Sequence, residues 1–286
     1  MSPNKLPTHS IGIIQGRLVT QVGDRIQAFP LDEWELEFEI ASQLGFGSIE
    51  LTIEMDSWET HPVRSAEGRD RLRQLSQTNA IGLAGLCCDI IMEVSIVDVN
   101  PVVRADCEKM LEMLIVEAAM IGLPMLELPV MGKASLREEE DRMIFIEAIR
   151  RLLPIAEYAG IDILIESDLP PRDLVALMEV VDHPRFGINY DTGNSTWFGF
   201  DPRDEMPVLA PYIRNIHIKD CRADEYSVPL GTGETEFPEI FAWLKKINYR
   251  GGFILQAARQ KDNIGAGREY LAFTHNFVRQ LDNSVV

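Results

Sequence analysis

Four residues with oxygen or nitrogen donor atoms end four apolar, strand-like segments in the second half of this 286-residue chain. The segments are residues 161–166, 186–191, 213–217 and 253–256. Their last residues are Glu166, Asp191, His217 and Gln256, and a divalent cation accepts such a mixture of carboxylate, imidazole and amide carbonyl ligands. In a barrel of parallel strands the carboxyl ends of all strands meet on one face. We therefore predict that these four side chains form a metal site.

Each of these residues taken alone has an ordinary structural role that competes evenly with metal binding. An acid at the end of a strand can cap the next helix or pair with a nearby base, for which Lys219 and Arg222 are available. A lone histidine can satisfy backbone groups, although His217 is the only one of five histidines that ends a strand-like segment. The joint occurrence of the four residues on consecutive strands favours the metal site.

Short apolar segments alternate with longer amphipathic stretches along the rest of the chain. We predict further strands at 11–14, 48–51, 82–87 and 125–128, and helices at 31–44, 63–78, 106–121 and 136–159. Glycines separate each of these helices from the next strand, as at a helix C-cap, at Gly45, Gly82, Gly122 and Gly160. The pattern predicts one α/β domain over residues 1–286, a single (β/α)8 TIM barrel. An open doubly wound sheet is disfavoured because the phosphate-binding motifs GxGxxG and GxxxxGK[ST] are absent from the sequence.

The chain is strongly acidic, with 45 Asp and Glu against 27 Lys and Arg and a net charge of -18. A field of that sign repels phosphate backbones and anionic lipids, so we expect neither a nucleic acid nor a membrane partner. No apolar run reaches the ~18 residues of a membrane helix, and the first residues lack the order of a secretion signal. These observations predict a cytoplasmic protein, and four cysteines without a CxxC spacing predict reduced, packed thiols.

Several stretches of the second half resemble a known superfamily. They are 191–194 (DTGN), 217–220 (HIKD), 228–234 (VPLGTGE) followed by Phe237, and 244–251 (LKKINYRG). The chain resembles the xylose-isomerase-like sugar isomerases and epimerases, a (β/α)8 superfamily that also contains apurinic-site endonucleases. The likeness covers residues 11 to about 279 and is most marked to the C-terminal half of pentulose-phosphate 3-epimerases. It implies a metal-dependent isomerase or epimerase of a small sugar or sugar phosphate.

The resemblance also implies which residues hold the ion and which one moves the proton. The family binds its metal through a Glu, an Asp, a His and a second Glu, and Glu166, Asp191 and His217 match the first three positions. Gln256 stands where the second Glu is found, and its carbonyl oxygen can bind a metal although it cannot exchange a proton near neutral pH. Glu166 is therefore expected to be both ligand and catalytic base. A different group or water would complete the proton transfer, and the ion would be Mn, Mg, Co or Zn.

Such a site suits chemistry next to a carbonyl group. A cation chelated by adjacent carbonyl and hydroxyl oxygens stabilises an enediolate, and a carboxylate within reach of the carbon acid removes the proton. Positive side chains that follow the first and the last two strands are candidates for substrate binding, because barrels often bind anions there. These candidates are Arg17, Lys219, Arg222 and Arg259. Further candidates for the pocket wall are Glu50, Glu54, Glu127 and Lys133.

Three other functions remain open from the sequence. A dehydratase or other lyase of a hydroxy-ketone, of the inosose or dehydroshikimate type, needs the same stabilised enolate. A non-catalytic sugar-binding barrel could result from the change at Gln256. An apurinic-site endonuclease is least favoured, because it needs a histidine-rich zinc cluster and a basic face. The expected partners are a small sugar or sugar phosphate and, from the resemblance, further copies of the chain in a homodimer or homotetramer.

Overall fold

A computed structural model describes residues 6–282, so both ends of the predicted 1–286 domain (1–5 and 283–286) lie outside the described residues. Eight parallel strands form a closed barrel, which confirms the predicted (β/α)8 fold. The barrel strands are β1 (Ile11–Ile14), β2 (Ser48–Thr52), β3 (Gly82–Cys87), β4 (Met125–Val130), β5 (Asp162–Ser167), β6 (Phe186–Asp191), β7 (Ile213–Ile218) and, after a hairpin of β8 (Asp220–Arg222) and β9 (Glu225–Val228), β10 (Gly252–Leu255). The barrel closes because β1 pairs with both β2 and β10.

Helices connect the strands and cover the outside of the barrel. They are α1 (Trp34–Leu44), α2 (Ala66–Asn79), α3 (Pro101–Ile121), α4 (Glu139–Ala159), α5 (Pro171–Val181), α6 (Thr192–Trp197), α7 (Pro202–Leu209), α8 (Phe237–Lys246) and α9 (Asn263–Asp282). The main apolar core lies between this layer and the sheet. A second, small cluster inside the barrel joins Ile14, Ala84, Cys87 and Ile254 from strands β1, β3 and β10. Because both faces of the strands are buried, they appear in the sequence as continuous apolar runs.

The first four helices begin three to five residues away from their predicted starts, and two of the helix termini have a clear physical explanation. Helix α3 begins at Pro101, five residues before the predicted start, because the Asn100 side chain accepts a hydrogen bond from Val102 N at 3.0 Å and caps the helix. The prediction of a glycine stop at Gly82 was wrong. Helix α2 ends at Asn79 and is capped by Ala80, which takes the left-handed conformation with φ of 53°, and Gly82 is already the first residue of β3.

The β8–β9 hairpin follows β7 and was not foreseen. Behind it, the Asp220 carboxylate accepts backbone N–H bonds from Gly231 and Gly233 at 2.9 Å and from Thr235 at 3.1 Å. A Cβ atom on Gly233 would lie 2.1 Å from Asp220 Oδ1, so only glycine fits there. Asp220 therefore fixes the loop that carries the VPLGTGE motif against the end of β7.

Two further properties concern the chain as a whole. Within residues 6–282, none of the helices combines the length and apolar character that crossing a bilayer requires. The four cysteines are all buried and free, as the sequence predicted.

Candidate metal centre

Three of the four predicted ligands converge at the carboxyl ends of neighbouring strands. Glu166 lies near the end of β5, Asp191 ends β6, and His217 lies near the end of β7, directly paired with Asp191 in the strand register. One donor atom from each of the three residues lies within 4.8 Å of the other two. All three side chains are buried, and their exposed fractions are 5%, 3% and 0%. The geometry therefore permits a shared cation.

Two of the candidate ligand atoms at this point lack hydrogen-bond partners among the described residues. Asp191 Oδ2 and His217 Nδ1 are buried without any such partner. His217 Nδ1 lies 3.2 Å from Glu166 Oε2, yet the two atoms do not have hydrogen-bond geometry. Buried polar atoms are nearly always paired, so unpaired donors that face one another require an explanation. Two carboxylates and an imidazole are a donor set that Mn, Co or Zn accepts. The residues present therefore fit a divalent ion.

Neighbouring amides hold the two carboxylates in place. Glu166 Oε2 accepts a hydrogen bond from Asn189 Nδ2 at 2.9 Å, and its Oε1 accepts one from Asn194 Nδ2. Asp191 caps helix α6, because its Oδ1 accepts the backbone N–H of Asn194 at 2.7 Å, which leaves Oδ2 free. Such outer partners fix the direction of ligand atoms around a metal. The DTGN motif thus orients both carboxylates, through the Asp191 cap and Asn194.

Glu50 of β2 lies behind His217. Its carboxylate oxygens are 3.3 and 3.4 Å from His217 Nε2, and one of them also accepts Asn215 Nδ2 at 3.3 Å. Burial lowers the pKa of His217, but the charges of Glu50 and Glu166 outweigh this and raise the pKa well above its ordinary value. A cation would take the place of the Nδ1 proton, while the Glu50 carboxylate would keep the proton on Nε2. Glu50 therefore orients the His217 imidazole.

Two more buried acids have shifted pKa values at the centre. Burial raises the pKa of Asp191 to about 6, even though the Lys219 ammonium opposes the shift. Burial, reinforced by the charge of Glu166, raises the pKa of Glu127 well above its usual range. Neither oxygen of Glu127 has a hydrogen-bond partner among the described residues. A bound cation would replace these protons with a compensating charge.

A cavity of about 300 Å³ opens above the three converging residues. This volume is at the lower end of the range for small-molecule sites, which suits a monosaccharide-sized ligand. Its wall contains several of the residues predicted from the sequence, namely Arg17, Glu54, Glu127, Glu166, Lys219 and Gln256. It also contains Gln27, Asp89, Asn194 and Tyr226, which sequence reasoning did not assign to the wall. Lys133 is not part of the wall, and Glu50 lies beneath His217 instead.

Among the missed residues, only some gave a signal in the sequence. Asp89 is an acid two residues beyond the predicted third strand, so the rule that located Glu166 and Asp191 could have found it. Asn194 belongs to the DTGN motif but was given no role. Gln27 lies in the long connection between β1 and α1, and Tyr226 lies in the unforeseen hairpin. Neither position carries a periodic pattern.

Two of the four predicted substrate-binding cations reach the cavity. Lys219 Nζ donates to Asn194 Oδ1 at 2.7 Å and lies 3.5 Å from the centre of the Tyr226 ring. The buried Arg17 donates to the Ile26 carbonyl oxygen, and burial together with Arg259 lowers its pKa to about 10. Both side chains bring positive charge to a wall that contains five acidic residues and one further cation, Arg25.

The other two predicted cations lie elsewhere. Arg259 donates to the carbonyl oxygens of Gly16 and Val19, the latter at 2.6 Å, and ties down the loop after β1. Arg222 is partly exposed and pairs with Glu225 in the hairpin. The structure therefore brings neither of them to the cavity wall, and both make local contacts instead.

Gln256 follows β10 directly, and its backbone N–H donates to Ile218 O at 3.1 Å. Side chains two residues apart on a strand share a face, so Gln256 faces the barrel interior above Ile254. Its Nε2 donates to Gln27 Oε1 at 3.0 Å. Its Oε1 is buried and has no hydrogen-bond partner among the described residues. The fourth predicted ligand thus presents a free carbonyl oxygen in the cavity that Glu166 lines.

Comparison with known proteins assigns the chain to a family. The chain is 24% identical to the L-ribulose-5-phosphate 3-epimerase UlaE of Shigella flexneri over 245 residues, which span 80% of this chain and 84% of that protein. It is 25% identical to the inosose dehydratase of Geobacillus thermodenitrificans over 179 residues, 54% of this chain and 59% of that protein. A crystal structure of the IOLI protein with a bound zinc atom has the same fold, with a TM-score of 0.75 at 14% identity over 95% of this chain and 99% of that one. The model of the xylose isomerase-like TIM barrel family matches residues 38–274, and the chain therefore belongs to that family.

Proposed function

We propose that the protein is a divalent-metal-dependent isomerase or epimerase of a small sugar or sugar phosphate. The observation that carries this proposal is the convergence of unpaired Asp191 Oδ2 and His217 Nδ1 beside Glu166 at the floor of a small cavity. The similarity to a pentulose-phosphate 3-epimerase over most of both chains supports the reaction class.

Glu166, Asp191, His217 and the Gln256 carbonyl oxygen would hold the ion. A divalent cation at that position supplies Lewis-acid stabilisation for negative charge that develops on a carbonyl oxygen. Asp191 and His217 are not among the residues that line the cavity wall. Their part is therefore to bind and orient rather than to contact the sugar carbon.

Glu166 is the base in this proposal because it lines the cavity and can reach a carbon acid bound there. Asn189 and Asn194 hold its two oxygens, so the carboxylate does not have to be reoriented when the substrate binds. Lys219 holds Asn194 in turn through the 2.7 Å bond to its side-chain oxygen. Return of the proton to the opposite face of the carbon falls to another group or to water, since Gln256 cannot exchange a proton.

Lys219 and Arg17 are the residues that we propose for contacts with oxygen atoms of the substrate. Both carry positive charge at the cavity wall and both are buried, so an anionic or hydroxyl oxygen would meet them away from bulk water. In such surroundings a charge-assisted hydrogen bond is stronger than at the surface. A phosphate or a polarised hydroxyl group on the sugar would satisfy the same contacts.

A dehydratase of a hydroxy-ketone is the second candidate. The similarity to an inosose dehydratase favours it, and so does the amide at Gln256. A lyase begins with the same proton abstraction but needs no second carboxylate to return a proton to the opposite face of the carbon. The two reactions therefore share Glu166 and the cation, and they differ in the fate of the enolate.

The experiment that tests the proposal combines metal analysis with a substrate screen. Purified protein is assayed for bound metal and then incubated in D₂O with ketoses and ketose phosphates in the presence of Mn, Mg, Co or Zn. Deuterium incorporation next to the carbonyl, without loss of water, supports the isomerase or epimerase. Loss of water with absorbance from a conjugated carbonyl supports the dehydratase. Protein that binds no metal and exchanges no proton would contradict both and leave a sugar-binding barrel.

A further inference from the structure

We infer that Asp89, acting through Gln27, is a positioning residue that fixes the amide of Gln256 with its carbonyl oxygen free for the cation. The inference rests on the proposed metal centre. It concerns two residues of the first half of the chain for which the sequence indicated no role. It also accounts for the presence of an amide, rather than a carboxylate, at the end of the last barrel strand.

The observation behind the inference is a continuous chain of hydrogen bonds along the cavity wall. Asp89 Oδ2 accepts from Gln27 Nε2 at 2.7 Å, and Gln27 Oε1 accepts from Gln256 Nε2 at 3.0 Å. All three side chains line the cavity, and Gln256 is separated from Gln27 by 229 positions in the sequence. The chain ends at Gln256 Oε1, which has no hydrogen-bond partner within the described part of the protein.

The direction of this chain is set at its Asp89 end. An ionised carboxylate can only accept hydrogen bonds. Asp89 is held by donors, because it also accepts from Thr52 Oγ1 at 3.1 Å and from Cys87 Sγ at 3.4 Å. Gln27 must therefore turn its NH₂ group towards Asp89 and its carbonyl oxygen away from it. The Arg17 guanidinium, which can only donate, lies 3.4 Å from the same Gln27 oxygen and favours the same orientation.

The orientation of Gln27 then decides what can stand at position 256. Gln27 Oε1 requires a donor, and Gln256 supplies one with its NH₂ group, so its own carbonyl oxygen points elsewhere. A glutamate at that position would place a carboxylate oxygen against Gln27 Oε1. Gln27 could relieve this contact only by rotating its amide, which would set its carbonyl oxygen against Asp89. Either arrangement leaves two acceptors facing each other in a partly buried wall, which is costly.

The chain therefore selects a neutral, oriented ligand. Glutamate at position 256 would add a negative charge and would by itself strengthen cation binding, but Asp89 and Gln27 oppose that gain. The two effects can be separated because Gln27 carries no charge. Without the Gln27 amide, the side chain at position 256 no longer has to present a hydrogen-bond donor. The charge of Asp89 is unchanged by this substitution.

The test is Mn²⁺ binding measured by calorimetry on the full chain after metal removal. The substitution Gln256→Glu is made in the wild-type protein and in Asp89→Asn and Gln27→Met backgrounds. We expect less than a twofold gain in Mn²⁺ affinity in the wild type, and a gain of tenfold or more in each of the two backgrounds. Glu54→Gln is the matched control background, since Glu54 also lines the cavity and also carries a negative charge, but its carboxylate accepts from Phe29 N and, among the described residues, forms no hydrogen bond with Asp89, Gln27 or Gln256. There the gain should stay below twofold.

Two results would overturn the inference. Equal gains in all backgrounds would show that the orientation of Gln27 is irrelevant. A gain that appears with Asp89→Asn but not with Gln27→Met would show that only the charge of Asp89 matters. If the wild type binds no Mn²⁺, the titrations are repeated with Mg²⁺, Co²⁺ and Zn²⁺. If it binds none of them, the proposed function fails, but the amide chain is still tested by unfolding of the metal-free variants. Gln256→Glu should then lower the Tm more in the wild type than in Gln27→Met, and equal shifts would reject the chain itself.

Discussion

The two halves of the barrel contribute to the candidate centre in different ways. The second half supplies Glu166, Asp191 and His217 from three neighbouring strands. The first half supplies none of these three, but it provides the groups that orient two predicted ligands: Glu50 behind His217, and Gln27 beside Gln256. This difference suggests that the second half determines which chemistry is feasible. The first half determines how firmly the donor atoms of His217 and Gln256 are oriented.

The difference has a physical origin in the connections between strands and helices. Asp191 is both the last residue of β6 and the N-cap of α6, so two regular elements fix its position. Gln27, in contrast, lies within the connection between β1 and α1, which contains neither helix nor strand. That connection is held by long-range bonds such as those from Gly16 and Leu18 N to the Glu37 carboxylate.

The largest effect is expected from Glu166→Gln. The substitution keeps a carbonyl oxygen for one of the two asparagine donors but removes the proposed base, so proton exchange into substrate should fall by about 10²–10⁴-fold. Deuterium incorporation measures the effect, and far-UV circular dichroism checks the fold. Glu157→Gln, an exposed acid on α4, is the control and should behave as wild type. Exchange at the wild-type rate in Glu166→Gln would remove this residue from the role of base.

A smaller effect is expected from Glu50→Gln, which tests the first half directly. An amide behind His217 orients the imidazole less firmly than a carboxylate does, and loss of such an outer partner typically lowers metal affinity by about 10–100-fold. Calorimetric titration with Mn²⁺ measures this. Glu205→Gln is the control because Glu205 is equally buried, yet its contacts are the hydroxyl groups of Tyr190 and Ser195. If both variants bind the ion as tightly as wild type, the first half does not tune the ligands.

The connection after β1 should make stability depend on pH. Burial raises the pKa of Glu37 to about 7, above the value that an exposed glutamate has in the unfolded chain. The stabilising contribution of a carboxyl group with a raised pKa is present at low pH and is lost as pH rises through about 7. Between about pH 6 and about pH 8 this loss amounts to about 1 kcal/mol for one group.

Denaturant unfolding at both pH values measures the loss, and Glu37→Gln should reduce the pH dependence by that amount. Glu54, whose pKa burial also raises to about 7, will contribute a further decrease that remains in the variant. An identical pH dependence in the wild type and Glu37→Gln would show that this carboxyl group does not titrate in the folded protein over that range.

The smallest effect is expected from Arg222→Ala. The structure places this side chain at a partly exposed pair with Glu225, and such pairs contribute about 0–1 kcal/mol to stability. We expect less than a twofold change in KM for any phosphorylated substrate that the screen identifies. A tenfold rise in KM, absent for the unphosphorylated sugar, would return Arg222 to the substrate-binding role that the sequence suggested.

The sequence was sufficient for the barrel and for the convergence of its strand ends. Apolar runs that end in Glu166, Asp191 and His217 are local patterns, and the parallel topology then forces their ends together. The α3 start was predicted five residues too late, because the cap at Asn100 was not recognised. The end of α2 was predicted to within one residue, but the residue that stops the helix is a left-handed alanine, Ala80, and not Gly82.

The rest of the site could not be predicted from local patterns, because it depends on contacts between residues that are far apart in the sequence. The contacts of Glu50 with His217 and of Gln27 with Gln256 join residues more than 160 positions apart, and no local pattern marks them. Arg222 and Arg259 are the opposite case, because the sequence did contain a local pattern but their side chains do not line the cavity. They follow the expected strands, yet nearby acceptors, the Glu225 carboxylate and the loop carbonyl oxygens, hold them away from the cavity.

The amide at Gln256 also alters the electrical balance of the loaded centre. Glu166 and Asp191 together carry two negative charges, so a divalent ion with these side chains would sum to zero, whereas a third carboxylate would leave a surplus of minus one. A unit charge about 4 Å from a nascent oxyanion costs roughly 4 kcal/mol at an effective dielectric constant near 20. A centre without net charge does not repel the developing oxyanion and is a stronger Lewis acid. It also binds its cation less tightly than a centre with a third carboxylate would.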